Sequence, residues 1–289
     1  MKAMRRSLVG LSLAGILSLA GILLAGAVWA QRGGHWSRGG GELRVRDRGG
    51  VPVWDINDDF PADRFTFVRI RYDSYRGWRS KWAVDYPDAD LNFSLRLQQL
   101  TSLKVDPNPI VLELTDGRLF DYPFIYFVEP GDLVFRPEER EALRRYCFNG
   151  GFAMFDDFWG DAEYENLRRE LALVFPEREP VDVPLEHEIF QCVYPLKEKP
   201  QVPAVGNGYI DASGRLVSWD PPRRGNDTQE VHYRAIFDDE GRIMVFICHN
   251  TDLGDGWERE GENQWYFETF SVKRAYPMGI NIVTYAMTH

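Results

Sequence analysis

From residue 64 onward the chain switches repeatedly between two hydrophobic periods. Residues 64–72 (RFTFVRIRY) alternate large apolar with mostly basic positions, the period-two pattern of a strand, and Asp73-Ser74 ends it. Leu91, Leu95, Leu97, Leu100 and Leu103 then recur at roughly helical spacing, with Asp90 placed to cap the helix and Pro107 and Pro109 to break it. Apolar runs at 110–114 and 124–128, separated by Thr115-Asp116-Gly117, predict two strands. Pro137-Glu138-Glu139 opens a helix, with proline in the first turn and acids at the positive end of its dipole, and Asn149-Gly150 stops it. A buried strand is expected over 151–155, then a helix over 163–174 with Leu167, Leu171 and Val174 on one face, closed by Pro176.

That alternation predicts an α/β fold, a doubly wound and mostly parallel sheet covered by helices on both faces. Between 180 and 219 the pattern loosens into a proline-rich stretch with a hairpin expected at 211–214, read as an irregular insertion. Runs at 233–237 and 242–248 flank the turn Asp238-Asp239-Glu240-Gly241 and predict two more strands. A mixed helix over 265–287 is expected to pack back on the sheet. No internal repeat is visible.

Ahead of this domain, Lys2, Arg5 and Arg6 precede an uncharged Leu-, Ala- and Gly-rich run at 8–30, the layout of an export signal. Val28-Trp29-Ala30 offers small residues to a signal peptidase, yet the run is long enough to serve as an uncleaved anchor, and both outcomes stay open. Arg5-Arg6-Ser7-Leu8 loosely resembles a twin-arginine signal. The division expected is therefore a signal peptide or anchor at 1–30, a Gly/Arg-rich flexible tether and lead-in at 31–63, and one α/β domain at 64–289, exported and facing the periplasm or exterior. Membrane contact would run through the N-terminal segment.

Charge narrows the partners. The chain carries a formal net charge of -10; without the three basic residues before the apolar run and the surplus of three arginines in 31–50, the part from Val51 onward stands at -16. A field of that sign repels phosphates, which argues against nucleic acid and leaves a protein partner, a glycan or a small ligand. Cys147, Cys192 and Cys248 show no Cys-x-x-Cys pair and no zinc-type spacing with histidine. They read as small buried hydrophobes.

In a doubly wound sheet ligands sit beyond the carboxyl ends of the strands, and the residues following each predicted strand are unusually polar here. They include Asp73, Asp156, Asp157, Trp159, His249, Asp252, Asp255 and Trp257. Asp156, Asp157, His249 and Asp252 are candidates to bind a divalent cation or do acid-base work, and Trp159 and Trp257 to stack on a flat or sugar-like ligand. The bland alternatives are helix caps and a solvated acidic surface. His187, in Glu186-His187-Glu188-Ile189-Phe190, is a further candidate, set against an ordinary hydrogen-bonded histidine.

Residues 137–157 (PEEREALRRYCFNGGFAMFDD) resemble the helix, Gly-Gly turn and strand of bacterial class I glutamine amidotransferase-like folds, and 241–257 (GRIMVFICHNTDLGDGW) resemble their late strand and histidine-bearing loop. With 67–73 and His187-Glu188-Ile189-Phe190, the chain is similar to the bacterial domain of unknown function 4159 family from about residue 64 to the end. The resemblance implies a flavodoxin-like, amidotransferase-like scaffold and no particular activity. Amidotransferases need a cysteine on a tight strand-to-helix elbow, and no Gly-x-Cys-x-Gly frame exists here. The expected function is a non-catalytic ligand- or partner-binding domain of the envelope, and the alternative is a metal-dependent hydrolase built on the acidic rim.

Overall fold

The computed structural model describes residues 45, 47–56, 64–75, 81–222 and 225–289. The expected export segment and most of the Gly/Arg-rich stretch lie outside the described residues. Among the described residues no helix is long and apolar enough to cross a membrane.

In chain order the elements are β1 (Val68–Ile70), β2 (Asp73–Ser74), α1 (Asp88–Leu100), β3 (Ile110–Leu112), β4 (Phe124–Val128), β5 (Leu133–Val134), α2 (Pro137–Phe148), β6 (Phe152–Phe158) and α3 (Asp161–Val174). There follow β7 (Val181–Asp182), β8 (Tyr209–Ile210), β9 (Leu216–Val217), β10 (His232–Phe237), β11 (Ile243–His249), α4 (Leu253–Glu258), α5 (Gln264–Tyr266) and α6 (Tyr276–Thr288), with a π-helical stretch Phe267–Ala275 joining the last two. Seven strands form the central sheet in the order β3-β1-β4-β6-β11-β10-β7. Pairing is parallel from β3 to β11, while β10 runs antiparallel to β11 and β7 to β10.

Every residue of β4, β6 and β11 is buried, because helices cover both faces of these central strands. Alternation then sorts the side chains. Phe124, Tyr126, Phe152, Met154 and Phe246 enter one apolar layer with α1, α4 and α6, whereas Ile125, Phe127, Phe155, Val245 and Ile247 enter the other with α2 and α3.

Four expectations change. Helix α1 starts at Asp88 after Pro87, so Asp90 is no cap; its carboxylate is buried in the first turn, where it accepts from Arg69 Nε at 3.0 Å. Strand β6 runs on to Phe158, so Asp156 and Asp157 belong to the strand itself. Between 180 and 219, Val183, Ile189, Phe190 and Val202 are fully buried, so the segment is part of the apolar layer despite its proline-broken pattern. Part of the lead-in is docked: Trp54 Nε1 donates to Val105 O at 2.7 Å and Arg48 Nη2 to Pro107 O at 2.7 Å.

Candidate functional site

At the carboxyl ends of three neighbouring strands stands a non-glycine residue in the left-handed region: Glu129 (φ 47°) just after β4, Asp157 (φ 54°) one residue before the end of β6, and Asn250 (φ 59°) just after β11. Such residues cost roughly 1 kcal/mol or more each and persist only where surrounding contacts enforce them. For Asp157 the enforcing feature is a β-bulge. Between the pairs Ile247↔Phe155 and His249↔Phe158, β11 advances two residues and β6 three, so strict alternation fails at the end of β6 and the side chains of Asp156 and Asp157 are re-aimed. Asn250 ties the same edge together by accepting from Gly160 N at 2.8 Å and donating to Asp227 O and Glu230 O.

Beyond these strand ends lies a group of carboxylates drawn from three segments. Asp157 comes from β6; Asp252, Asp255 and Glu258 recur at three-residue spacing along one side of α4; Asp85 follows the 3₁₀ turn Lys81–Ala83 with φ 62°. Carboxylate oxygens of Asp85, Asp157 and Asp252 all lie within 4.8 Å of one another, and so do those of Asp85, Asp255 and Glu258. Asp156 adjoins them: its Oδ2 accepts from Tyr126 O–H and from Gly254 N–H, each at 3.1 Å. Gly254 has to be glycine, since a Cβ there would come within 2.7 Å of Asp85 Oδ2 and 2.9 Å of Tyr126 Oη.

The Asp85 segment is held from below by Arg69, a residue with no exposed surface. Its Nη1 donates to Trp82 O at 3.1 Å and Val84 O at 2.7 Å while its other nitrogens face Asp90. A β1 residue thus fixes the loop that carries the carboxylate. Asp252 is oriented by accepting from Asp255 N at 2.7 Å, Asp157 by the Trp159 indole at 3.2 Å, and Asp255 by Val205 N at 2.9 Å.

Packing several acids into a dry space disfavours their ionised forms. Burial and then the neighbouring charges of Asp255, Glu258 and Asp157 push Asp85 well above the ordinary carboxylate range; burial and then Asp157, Asp255 and Asp85 do the same to Asp252. Burial raises Asp156 to about 7 and Glu258 to about 8, the latter in spite of Arg259 beside it. Among the described residues of the group three oxygens, Asp85 Oδ2, Asp156 Oδ1 and Glu258 Oε2, are buried without a hydrogen-bond partner, the last of them ion-paired with Arg259. The group therefore calls for positive charge, as protons or as a cation.

The other candidates sit elsewhere or are already engaged. His249 is buried with Nδ1 facing Arg234 at 3.2 Å and Nε2 facing Gly160 O at 3.1 Å, stacked on Phe158 and Tyr164. Burial and Arg234 lower its pKa to about 3, so it stays neutral, and both ring nitrogens are occupied. Trp159 and Trp257 are 0% and 1% exposed, and Trp257 packs on Phe93 at 4.4 Å and donates to Ala275 O, so neither indole presents a face for stacking. His187 accepts from Ile189 N as a helix cap and lies against Phe237 and Tyr285; Phe237 pairs with Ile243, the first residue of β11, which puts His187 at the opposite end of the sheet. Asp73 is exposed on β2, across from Arg136 at 3.4 Å. Of the four residues expected around a cation, Asp157 and Asp252 meet, Asp156 adjoins them through Gly254, and His249 stands apart.

Asp85 and Glu258 were not foreseen from the sequence. Glu258 continues the Asp252, Asp255 spacing and was legible there; Asp85 follows no predicted strand, and its segment is fixed by Arg69 from β1.

A family model described as Domain of unknown function (DUF4159) matches residues 66–287, well over half of the chain. No curated protein matches it.

Proposed function

The chain belongs to the DUF4159 family, and we propose that it is a ligand-binding α/β domain, displayed outside the cytoplasm, whose acidic crevice takes a positively charged group. The observation that carries this reading is the convergence of Asp85, Asp156, Asp157, Asp252, Asp255 and Glu258 at the carboxyl ends of the central strands. In open α/β sheets that edge is where ligands bind. The order β3-β1-β4-β6-β11 corresponds to the 2-1-3-4-5 order of flavodoxin-like sheets and supports an amidotransferase-like scaffold. Thiol chemistry has no support: Cys147 is buried in α2 and Cys248 in β11, whereas Cys192, against the expectation that all three are buried, is an exposed residue whose Sγ faces Asn281 O at 3.3 Å, and burial raises all three thiols above their ordinary range. The placement rests on the basic residues and apolar run at 2–30, and the acidic surplus of the folded part favours cationic partners over nucleic acid.

A second reading, metal-dependent hydrolysis, is favoured by Asp156, whose pKa of about 7 suits proton exchange near neutrality beside the other carboxylates. Thermal-shift screening of the full chain near pH 8 against divalent cations, polyamines and guanidinium compounds tests binding. A stabilising cation whose effect disappears in the Asp157→Asn/Asp252→Asn variant is the expected result. No shift with any of them overturns the reading.

A further inference from the structure

We infer that the group bound in the acidic crevice is a hard divalent cation of the Mg²⁺, Ca²⁺ or Mn²⁺ class, with Asp85, Asp157 and Asp252 as its protein ligands. The inference rests on the crevice being the binding site and adds the chemical identity of what it holds. Three features argue for a hard metal ion.

The first is reach. A cation with oxygen ligands at about 2.0–2.6 Å sets opposite ligands roughly 4–5 Å apart, and the three carboxylates offer oxygens all within 4.8 Å of one another. A planar guanidinium needs acceptors spread across its fork rather than gathered around one point. A Cβ on Gly254 would lie 2.7 Å from Asp85 Oδ2 and 3.4 Å from Asp252 Oδ1, so these oxygens close directly on the backbone at the start of α4.

The second is the unmet demand on the ligands. Asp156 has no exposed surface, and with Oδ2 held by Tyr126 and Gly254 its Oδ1 has no partner; Asp85 Oδ2 is likewise enclosed and unpartnered within the group of three. A buried carboxylate oxygen left so keeps its desolvation penalty, and a cation that coordinates Asp85 directly and Asp156 through a bound water removes it. The third is the donor set. It is all oxygen, with His249 held by Arg234 and Gly160 and the buried cysteines lying within α2 and β11, which suits hard cations and disfavours zinc or copper. The surrounding hydrogen bonds that orient Asp157 through Trp159 and Asp252 through Asp255 N are what a metal site uses to hold its ligands.

The test is calorimetric titration of the full chain, freed of metal with a chelator, with MgCl₂, CaCl₂ and MnCl₂ near pH 8. Saturable binding of about one equivalent is expected, weakened at least about tenfold in Asp157→Asn and in Asp252→Asn and unchanged in Asp73→Asn, which alters an exposed carboxylate on β2. Removing a repelling charge should leave both variants folded, which circular dichroism verifies, and a metal-dependent rise in melting temperature gives an independent readout. Heat with none of the three metals, or binding equally strong in Asp157→Asn and Asp252→Asn, overturns the inference. Should a polyamine stabilise the protein while no metal binds, the metal assignment falls and the acidic binding crevice stands.

Discussion

Asp156 offers the sharpest quantitative test of the acidic group. Burial raises its pKa from 3.8 to about 7, so the folded protein binds a proton that the unfolded chain gives up near pH 4. A group with a raised folded pKa contributes stability that is complete below its unfolded pKa and is lost as pH rises through the folded value, so the metal-free protein weakens from about pH 4 to pH 8. A rise of about 3 units at 1.36 kcal/mol each makes the whole effect about 4 kcal/mol, of which about 3 kcal/mol falls between pH 5 and pH 8. Asp156→Asn deletes this titration and keeps an oxygen for Tyr126 O–H and Gly254 N–H. Urea denaturation of the chelator-treated wild type and variant at pH 5 and pH 8 should show the wild type losing about 3 kcal/mol more than the variant. Comparing the two losses cancels any constant cost of the new amide. Parallel losses would mean that Asp156 is ionised at neutral pH without penalty, and the electrostatic picture of the crevice would be wrong. A saturating divalent cation should reverse the trend at pH 8, since a ligand that binds only the folded state adds stability in proportion to the logarithm of its concentration over Kd.

Three further outcomes are expected. Arg69→Met leaves Asp90 buried without its partner and should cost about 3–5 kcal/mol by urea denaturation, while Arg69→Met/Asp90→Leu should recover part of that loss. Gly254→Ala drives a methyl against Asp85 Oδ2 and Tyr126 Oη and should destabilise the fold by about 1–3 kcal/mol and weaken cation binding, read by urea denaturation and calorimetry. Histidine NMR should show the His249 ring neutral throughout pH 5–8, because burial and Arg234 lower its pKa to about 3; a midpoint near 6.5 would contradict its placement.

Much of the fold was legible because its central strands and covering helices are amphipathic or apolar at the period of the element. The runs at 124–128 and 137–148 match β4 and α2 to the residue, and the turn 238–241 marks the β10–β11 hairpin. The limits of β6 were not legible: a bulge carries the strand through two aspartates that read as a loop, and only pairing with β11 shows it. The segment 180–219 failed for a similar reason, since Val183, Ile189, Phe190 and Val202 fill the core from a chain without periodic structure.

What the residues alone determine is the strand-helix alternation, the strong acidity of the domain and the lack of a thiol elbow, because each is a property of local pattern or of composition. Those suffice to direct attention to the carboxyl ends of the strands and to Asp157, Asp252 and Asp255. Whether a given acid or ring joins a site depends on contacts between distant segments. Arg69 in β1 brings in Asp85, Arg234 in β10 takes His249 away, and Phe93 in α1 covers the Trp257 ring. Side-chain identity is written in the chain, but burial and partnership, which set charge and reach, arise only when the sheet and its helices close around them.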